Sequence, residues 1–134
     1  MIVSKRLVVI DTNVLVSALL AAGGFPGRIL DLVKNGSVRT GYCDAVLAEY
    51  GDVLSRPKFN FRAKDVSDAL AGIVRAGIPV NAEQSTVPMP DESDRKFYDV
   101  AKSSGAILIT GNRKHYPDEP HILAPADFVR EYCP

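Results

Sequence analysis

Four polar residues sit beside apolar runs at positions where an ordinary solvated face does not require them. Asp11 directly follows Leu7-Val8-Val9-Ile10, and Asn112 closes Thr110-Gly111-Asn112 after Ala106-Ile107-Leu108-Ile109. Asp94 precedes Phe97, Tyr98 and Ala101 by three, four and seven residues. On a helix of about 3.6 residues per turn it shares their inward face, whereas Asp99 is expected to point outward. Glu49 borders the apolar arc formed by Ala45, Val46 and Val53. A carboxylate turned toward a core is costly unless something compensates it. Several such acids together can be compensated by one divalent cation. Mg²⁺ and Mn²⁺ take oxygen ligands, and three carboxylates with an amide oxygen suit them. Zinc does not fit, because His115 and His121 have no obvious Cys or His partner. Each residue also has a plainer reading. Asp11 can cap a helix, Asp94 can be a first-turn acid, Glu49 a solvated helix acid and Asn112 a turn residue. Spacing alone leaves these open.

The elements that must position these side chains alternate in type. Leu7 to Ile10 is a β-branched apolar run of the kind buried on both faces of a parallel sheet. A helix is expected from Asn13 to Ala22, closed by Gly23-Gly24, and a second from Gly27 to Lys34 after Pro26. Val38 to Gly41 reads as a short strand, and Asp44 to Leu54 and Ala63 to Ala76 as helices. Ile78 to Val80 reads as a strand, Ser85 to Asp91 as a loop and Glu92 to Ser104 as one helix. Ala106 to Ile109 and His121 to Leu123 complete the strands, and Pro125 to Tyr132 the helices. This order predicts an α/β fold with a central parallel sheet covered on both faces. Ligands of such sheets bind beyond the carboxyl ends of the strands, where Asp11 and Asn112 fall.

With 134 residues the chain is expected to form one domain, over residues 1–134. Its 46% hydrophobic and 24% charged residues exclude a disordered tail. Sixteen Lys and Arg balance sixteen Asp and Glu, which argues against a strongly basic nucleic-acid coat protein. A basic strip beside an acidic site would still cancel in that sum. After Lys5 and Arg6 only four apolar residues precede Asp11, too few for a secretory core, and Val14 to Ala22 is too short to span a bilayer. A cytoplasmic location is expected, with Cys43 and Cys133 as reduced thiols.

Four motifs occur in an order that resembles the PIN-domain nucleases. Val9-Ile10-Asp11-Thr12-Asn13-Val14-Leu15-Val16-Ser17 is similar to their opening strand and Asp-Thr-Asn. Leu47-Ala48-Glu49-Tyr50 resembles the helix of their second acid, and Asp91 to Phe97 that of the third. Gly105 to Asn112 resembles the strand and turn of their fourth polar group, often Asp in the family and Asn here. The likeness is nearest to the branch akin to VapC, described as toxin components of toxin–antitoxin pairs. It implies a three-layer α/β/α sandwich and Mg²⁺- or Mn²⁺-dependent hydrolysis of RNA phosphodiesters.

On that resemblance Asp11, Glu49 and Asp94 are the catalytic acids and, with Asn112, the metal ligands. Asp11 and Asp94 would be the principal ligands, and Glu49 would ligate or orient the attacking water. Thr12, Ser17 and Thr110 would orient carboxylates or waters, and Asn13 would brace the loop or bind water. One ion is expected to be held firmly, and a second to be recruited only with RNA. Positive charge must flank such a site, and Arg56, Lys58, Arg62 and Lys64, with Arg113, Lys114 and His115, are the candidates. Phe59, Phe61 and Tyr116 are candidates to stack unpaired bases. The resemblance further implies a homodimer and a small antitoxin partner, with no membrane. Two rivals remain. Asp11-Thr12-Asn13-Val14-Leu15 also resembles the loop of haloacid-dehalogenase-type phosphatases, although Asn13 replaces their second Asp. A catalytically weak PIN fold that only binds RNA or protein is the other.

Overall fold

The computed structural model describes residues 6–133, so Lys5 lies outside the described residues. Five strands form one parallel sheet: β1 (Leu7–Ile10), β2 (Arg39–Tyr42), β3 (Ile78–Pro79), β4 (Ile107–Ile109) and β5 (Ile122–Leu123). Six α-helices accompany them: α1 (Thr12–Leu20), α2 (Phe25–Lys34), α3 (Asp44–Leu54), α4 (Ala63–Ala76), α5 (Arg95–Ser104) and α6 (Pro125–Tyr132). The strand order is β3-β2-β1-β4-β5, with Val8 beside both Thr40 and Ile107. The chain therefore builds outward from β1 in one direction, then returns to build outward in the other. The crevice between β1 and β4 is the point where strand order reverses, the usual ligand position in open parallel sheets.

Val8, Val9, Leu108 and Ile109 are fully buried, as continuous apolar strands between two helical layers require. Helix α5 contacts β1, β2 and β4 on one face, and α2 packs with α1, α4 and α6 on the other. The result is a three-layer α/β/α sandwich. Each fully buried Val, Leu, Ile or Phe contributes about 1.5–3 kcal/mol by leaving water. Helices α1 and α2 turn through 101°, and among the described residues no single helix is long and apolar enough to cross a membrane. The turn depends on Gly27, where an added Cβ would stand 2.1 Å from the Ala22 carbonyl oxygen. Cys43 and Cys133 are unpaired thiols.

Helix α1 begins at Thr12 and stops at Leu20, short of Ala22, while Phe25 and Pro26 belong to α2. The segment expected as one helix from Glu92 is divided. Residues Glu92–Asp94 form a 3-10 turn, tightened because Asp91 Oδ1 accepts from the Ser93 backbone N–H at 2.9 Å. Asp94 thus stands at the N-cap of α5. Ala45, expected on the apolar arc of α3, is exposed.

Asp99 corrects a stronger expectation, because it is buried rather than outward-facing, with 6% exposure. The irregular segment after β3 crosses α5 and covers it, and Asp99 Oδ2 accepts from the Ser85 N–H at 3.2 Å. Arg95 fastens that segment. Its guanidinium donates to the Ser85 carbonyl and hydroxyl, both at 2.9 Å, and to the Val87 carbonyl at 2.7 Å. Helix α5 is therefore covered on two sides, which an argument from one apolar stripe does not anticipate.

Candidate active site

The three acids arrive from three segments. Asp11 leaves the carboxyl end of β1, Glu49 lies in α3 and Asp94 heads α5. Tyr50 ties α3 to β1 by donating its hydroxyl hydrogen bond to the Ile10 carbonyl. Tyr50 also packs with Phe97 of α5, ring centres 6.1 Å apart. One buried aromatic pair thus sets the elements carrying all three acids against one another.

Asp11 is only 5% exposed. Its Oδ2 accepts two hydroxyl hydrogen bonds, from Thr110 and from Tyr116, each 2.8 Å long. Burial raises its pKa, the two hydroxyls oppose that shift, and the charge of Glu49 adds to it. Thr110 also accepts from the Asn112 N–H at 3.0 Å, and Asn13 Oδ1 accepts from the Gly111 N–H at 3.2 Å. Thr110 and Asn13 therefore join the β4 turn to the start of α1.

Glu49 is held at both oxygens. Oε2 accepts from the Thr12 hydroxyl, and Oε1 stands 2.7 Å from the Lys96 ammonium. Asp94 differs. Its side chain is 14% exposed, yet among the described residues its buried Oδ2 makes no hydrogen bond, and His115 Nδ1 stands 3.4 Å from it. Burial first, and the charges of Asp11 and Asp91 next, push its pKa to about 6; His115 opposes and Glu49 adds.

Among the described residues, no three His, Cys, Asp or Glu side chains stand as a ready-made cation site. The donor chemistry nevertheless fits a divalent ion. An unpartnered buried carboxylate oxygen lies beside acids whose mutual repulsion a positive charge relieves.

The other anticipated residues have the following surroundings. Ser17 and Asn112 line a cleft of about 220 Å³ with Asn13, Pro26, Gly111 and Pro125, and none of the three acids lines it. Tyr116, expected to stack bases, is 5% exposed and its hydroxyl is committed to Asp11, so that expectation is corrected. Phe59 and Phe61 stack on each other at 5.3 Å. Three of the four cations from Arg56 to Lys64 face nearby acids. Arg56 pairs with Asp52, Arg62 with Asp65 and Lys64 with Asp68. Lys58 lies over the Phe59 ring at 5.0 Å. Arg113 is 3.8 Å from Asp118, and Lys114 is exposed. His121 sits at the start of β5, 3.7 Å from Glu119, and burial lowers its pKa.

Sequence reasoning missed Lys96 and the hydroxyl role of Tyr116. The only signal for Lys96 was its place two residues after an inward acid, and Tyr116 carried none beyond its place after the Asn112 turn.

The molecule is thus a parallel α/β/α sandwich with Asp11 at the carboxyl end of β1, beside its strand-order reversal, and with Asp94 and Glu49 acting electrostatically on one another and on Asp11. The chain belongs to the PIN-domain family, whose model matches residues 7–114. Members of this family are in general nucleases that use divalent metals. An uncharacterized protein of Methanocaldococcus jannaschii is 34% identical over 112 residues, covering 81% of this chain and 72% of that relative.

Proposed function

We propose that the protein is a cytoplasmic, Mg²⁺- or Mn²⁺-dependent endoribonuclease and the toxin component of a toxin–antitoxin pair. The observation that carries this reading is the buried, unpartnered oxygen of Asp94 beside Asp11 and Glu49 at the β1–β4 crevice. Asp11 and Asp94 would hold the ion, and Glu49 would orient the attacking water or join them as a ligand. When bound, the ion supplies Lewis-acid polarisation and a more acidic water at neutral pH.

The chain's own groups prepare the site. Thr110 and Tyr116 fix Asp11 in one orientation, and Thr12 fixes Glu49. Ser17 and Asn112 supply polar groups along the neighbouring cleft, where Asn112 offers an amide oxygen without adding charge. His115, beside Asp94, and the exposed Lys114 and Lys58, with Arg113 and Arg56, offer contacts to the RNA backbone. The apolar groove between α3 and α4, about 700 Å³ and lined by Leu54, Phe61, Val66, Leu70 and Val74, supports a second copy or a small antitoxin as partner.

The test is cleavage of RNA by purified protein in Mg²⁺, in Mn²⁺ and in EDTA, beside Asp94→Asn. The reading expects cation-dependent cleavage that the substitution abolishes while the fold persists. Equal cleavage by the variant removes Asp94 from the chemistry. RNA binding without cleavage, retained in Asp11→Asn and Asp94→Asn, would assign the fold to binding instead.

A further inference from the structure

We propose that Lys96 is a built-in counter-cation of the acid cluster, holding Glu49 and limiting the site to one divalent ion. This rests on the metal-dependent reading above. The ammonium stands 2.7 Å from Glu49 Oε1, also donates to the Ser93 carbonyl, and lies 5.3 Å from the centre of the Phe97 ring. Its side chain is 23% exposed and that of Glu49 26%, so neither is a freely solvated charge. Phe97 is fully buried, and Ser93 belongs to the turn that ends at Asp94. Lys96 is thus anchored by the same turn that presents Asp94, and it reaches across to the acid of α3.

The consequence is a matter of charge. Asp11, Glu49 and Asp94 would carry three negative charges, and Lys96 leaves these three acids two charges negative; Asp91, whose charge also reaches Asp94, is exposed to solvent with its Oδ1 engaged by Ser93. One divalent ion then neutralises it. A second would bring a net excess of positive charge before any phosphate arrives, at a place where an ammonium already sits. Glu49 has both oxygens engaged, whereas Asp94 keeps an unpartnered one. Lys96 therefore divides the acids into two ion ligands, Asp11 and Asp94, and one acid kept in place by the protein. It is neither an ion ligand nor a catalytic group, and it acts by the charge it places beside Glu49. An ammonium has three donors, so one remains beyond those given to Glu49 and Ser93.

A structural tether and a counter-cation make opposite predictions. If Lys96 only steadies Glu49, its loss leaves metal affinity unchanged or weakens it. If it opposes a dication, its loss tightens binding. The experiment is Mn²⁺ titration of the full, metal-stripped chain by calorimetry, with thermal melting in EDTA and in Mn²⁺. Wild type, Lys96→Met, Lys96→Gln and Lys96→Arg are compared.

Wild type should bind one Mn²⁺. Lys96→Met and Lys96→Gln should bind it about tenfold more tightly, the scale of one unit charge acting on a dication across a water-like dielectric. Both should melt lower in EDTA and gain more from Mn²⁺ than wild type does. Lys96→Arg should keep the wild-type affinity. Unchanged or weaker binding in both neutral variants overturns the counter-cation. Two tight ions in wild type overturn it as well, while sparing the metal-dependent reading. No Mn²⁺ bound by wild type overturns both. Lys96→Gln keeps a polar, similarly long side chain, so the comparison survives if Lys96→Met does not fold.

Discussion

Asp94→Asn should stabilise the metal-free protein while destroying its function. The Asp94 carboxyl sits at about 6 in the folded chain against an ordinary 3.8, chiefly through burial and then through Asp11 and Asp91. The sign follows from linkage. A carboxyl with a higher folded pKa binds its proton better in the folded state, so its ionised form opposes folding. That penalty is full above pH 6, fades as pH falls through 6, and is gone below the unfolded value. A gap of roughly two units is worth about 3 kcal/mol at face value. The side chain keeps 14% exposure and faces a half-exposed His115. Solvent screening of that edge reduces the expectation to about 1–2 kcal/mol.

In EDTA at pH 8, Asp94→Asn should therefore melt roughly 3–8 °C above wild type. The gap should close as pH falls toward 4, because wild type regains what protonation returns. Taking the difference between the two proteins removes groups with lowered pKa values, such as Glu119, from the comparison. Adding Mn²⁺ should reverse the order, since wild type gains an ion and the variant loses a ligand charge. The assay is thermal or urea unfolding across pH, with and without Mn²⁺. A variant no more stable than wild type at pH 8 in EDTA would refute the claim that Asp94 is held against its ionisation.

Three further outcomes follow from named contacts. Tyr116→Phe removes one of two donors to buried Asp11 Oδ2 and should cost about 1–3 kcal/mol of stability, read by urea unfolding, with weaker Mn²⁺ binding. Arg95→Met releases Ser85 and Val87, and hydrogen exchange should rise across residues 80–90 while β1 and β4 stay protected. Asn112→Asp adds a carboxylate near the turn held by Thr110 and should tighten Mn²⁺ binding if its side chain reaches the ion, as calorimetry would reveal; unchanged affinity removes residue 112 from the ligand set.

The parts legible in the sequence are those governed by period and run length. Leu7 to Ile10 is a strand as written, because four successive apolar residues suit burial on both faces. Helices α3, α4 and α6 run over the residues expected of them, Asp44 to Leu54, Ala63 to Ala76 and Pro125 to Tyr132. The positions of Asp11 and Asp94 at a strand end and a helix start follow from that same layout. What stayed hidden depends on contacts between distant segments. Asp99 is buried by an irregular segment whose path no periodicity encodes. Lys96 chooses Glu49 across two helices, and Tyr116 chooses Asp11 across the sheet edge. The polarity of a Lys or Tyr identifies a donor but not its acceptor.

Each acid is held by a different device, and the difference separates their behaviour. Asp11 is buried most deeply but receives two hydroxyl donors, so its orientation is set and its charge is partly met. Glu49 is less buried and is matched by a full positive charge. Asp94 has a buried oxygen with no hydrogen bond and only a half-exposed imidazole nearby. Of the three it is the acid whose charge the protein satisfies least, and so the one whose energy changes most when a cation arrives. A fold can carry one such group because the cost, about 1–2 kcal/mol, is small beside the core that α5 and the sheet bury together. It could not leave all three in that state, since repulsion would add to burial at every position. The hydroxyls of Thr12, Thr110 and Tyr116 and the ammonium of Lys96 therefore let one carboxylate remain unsatisfied at the crevice.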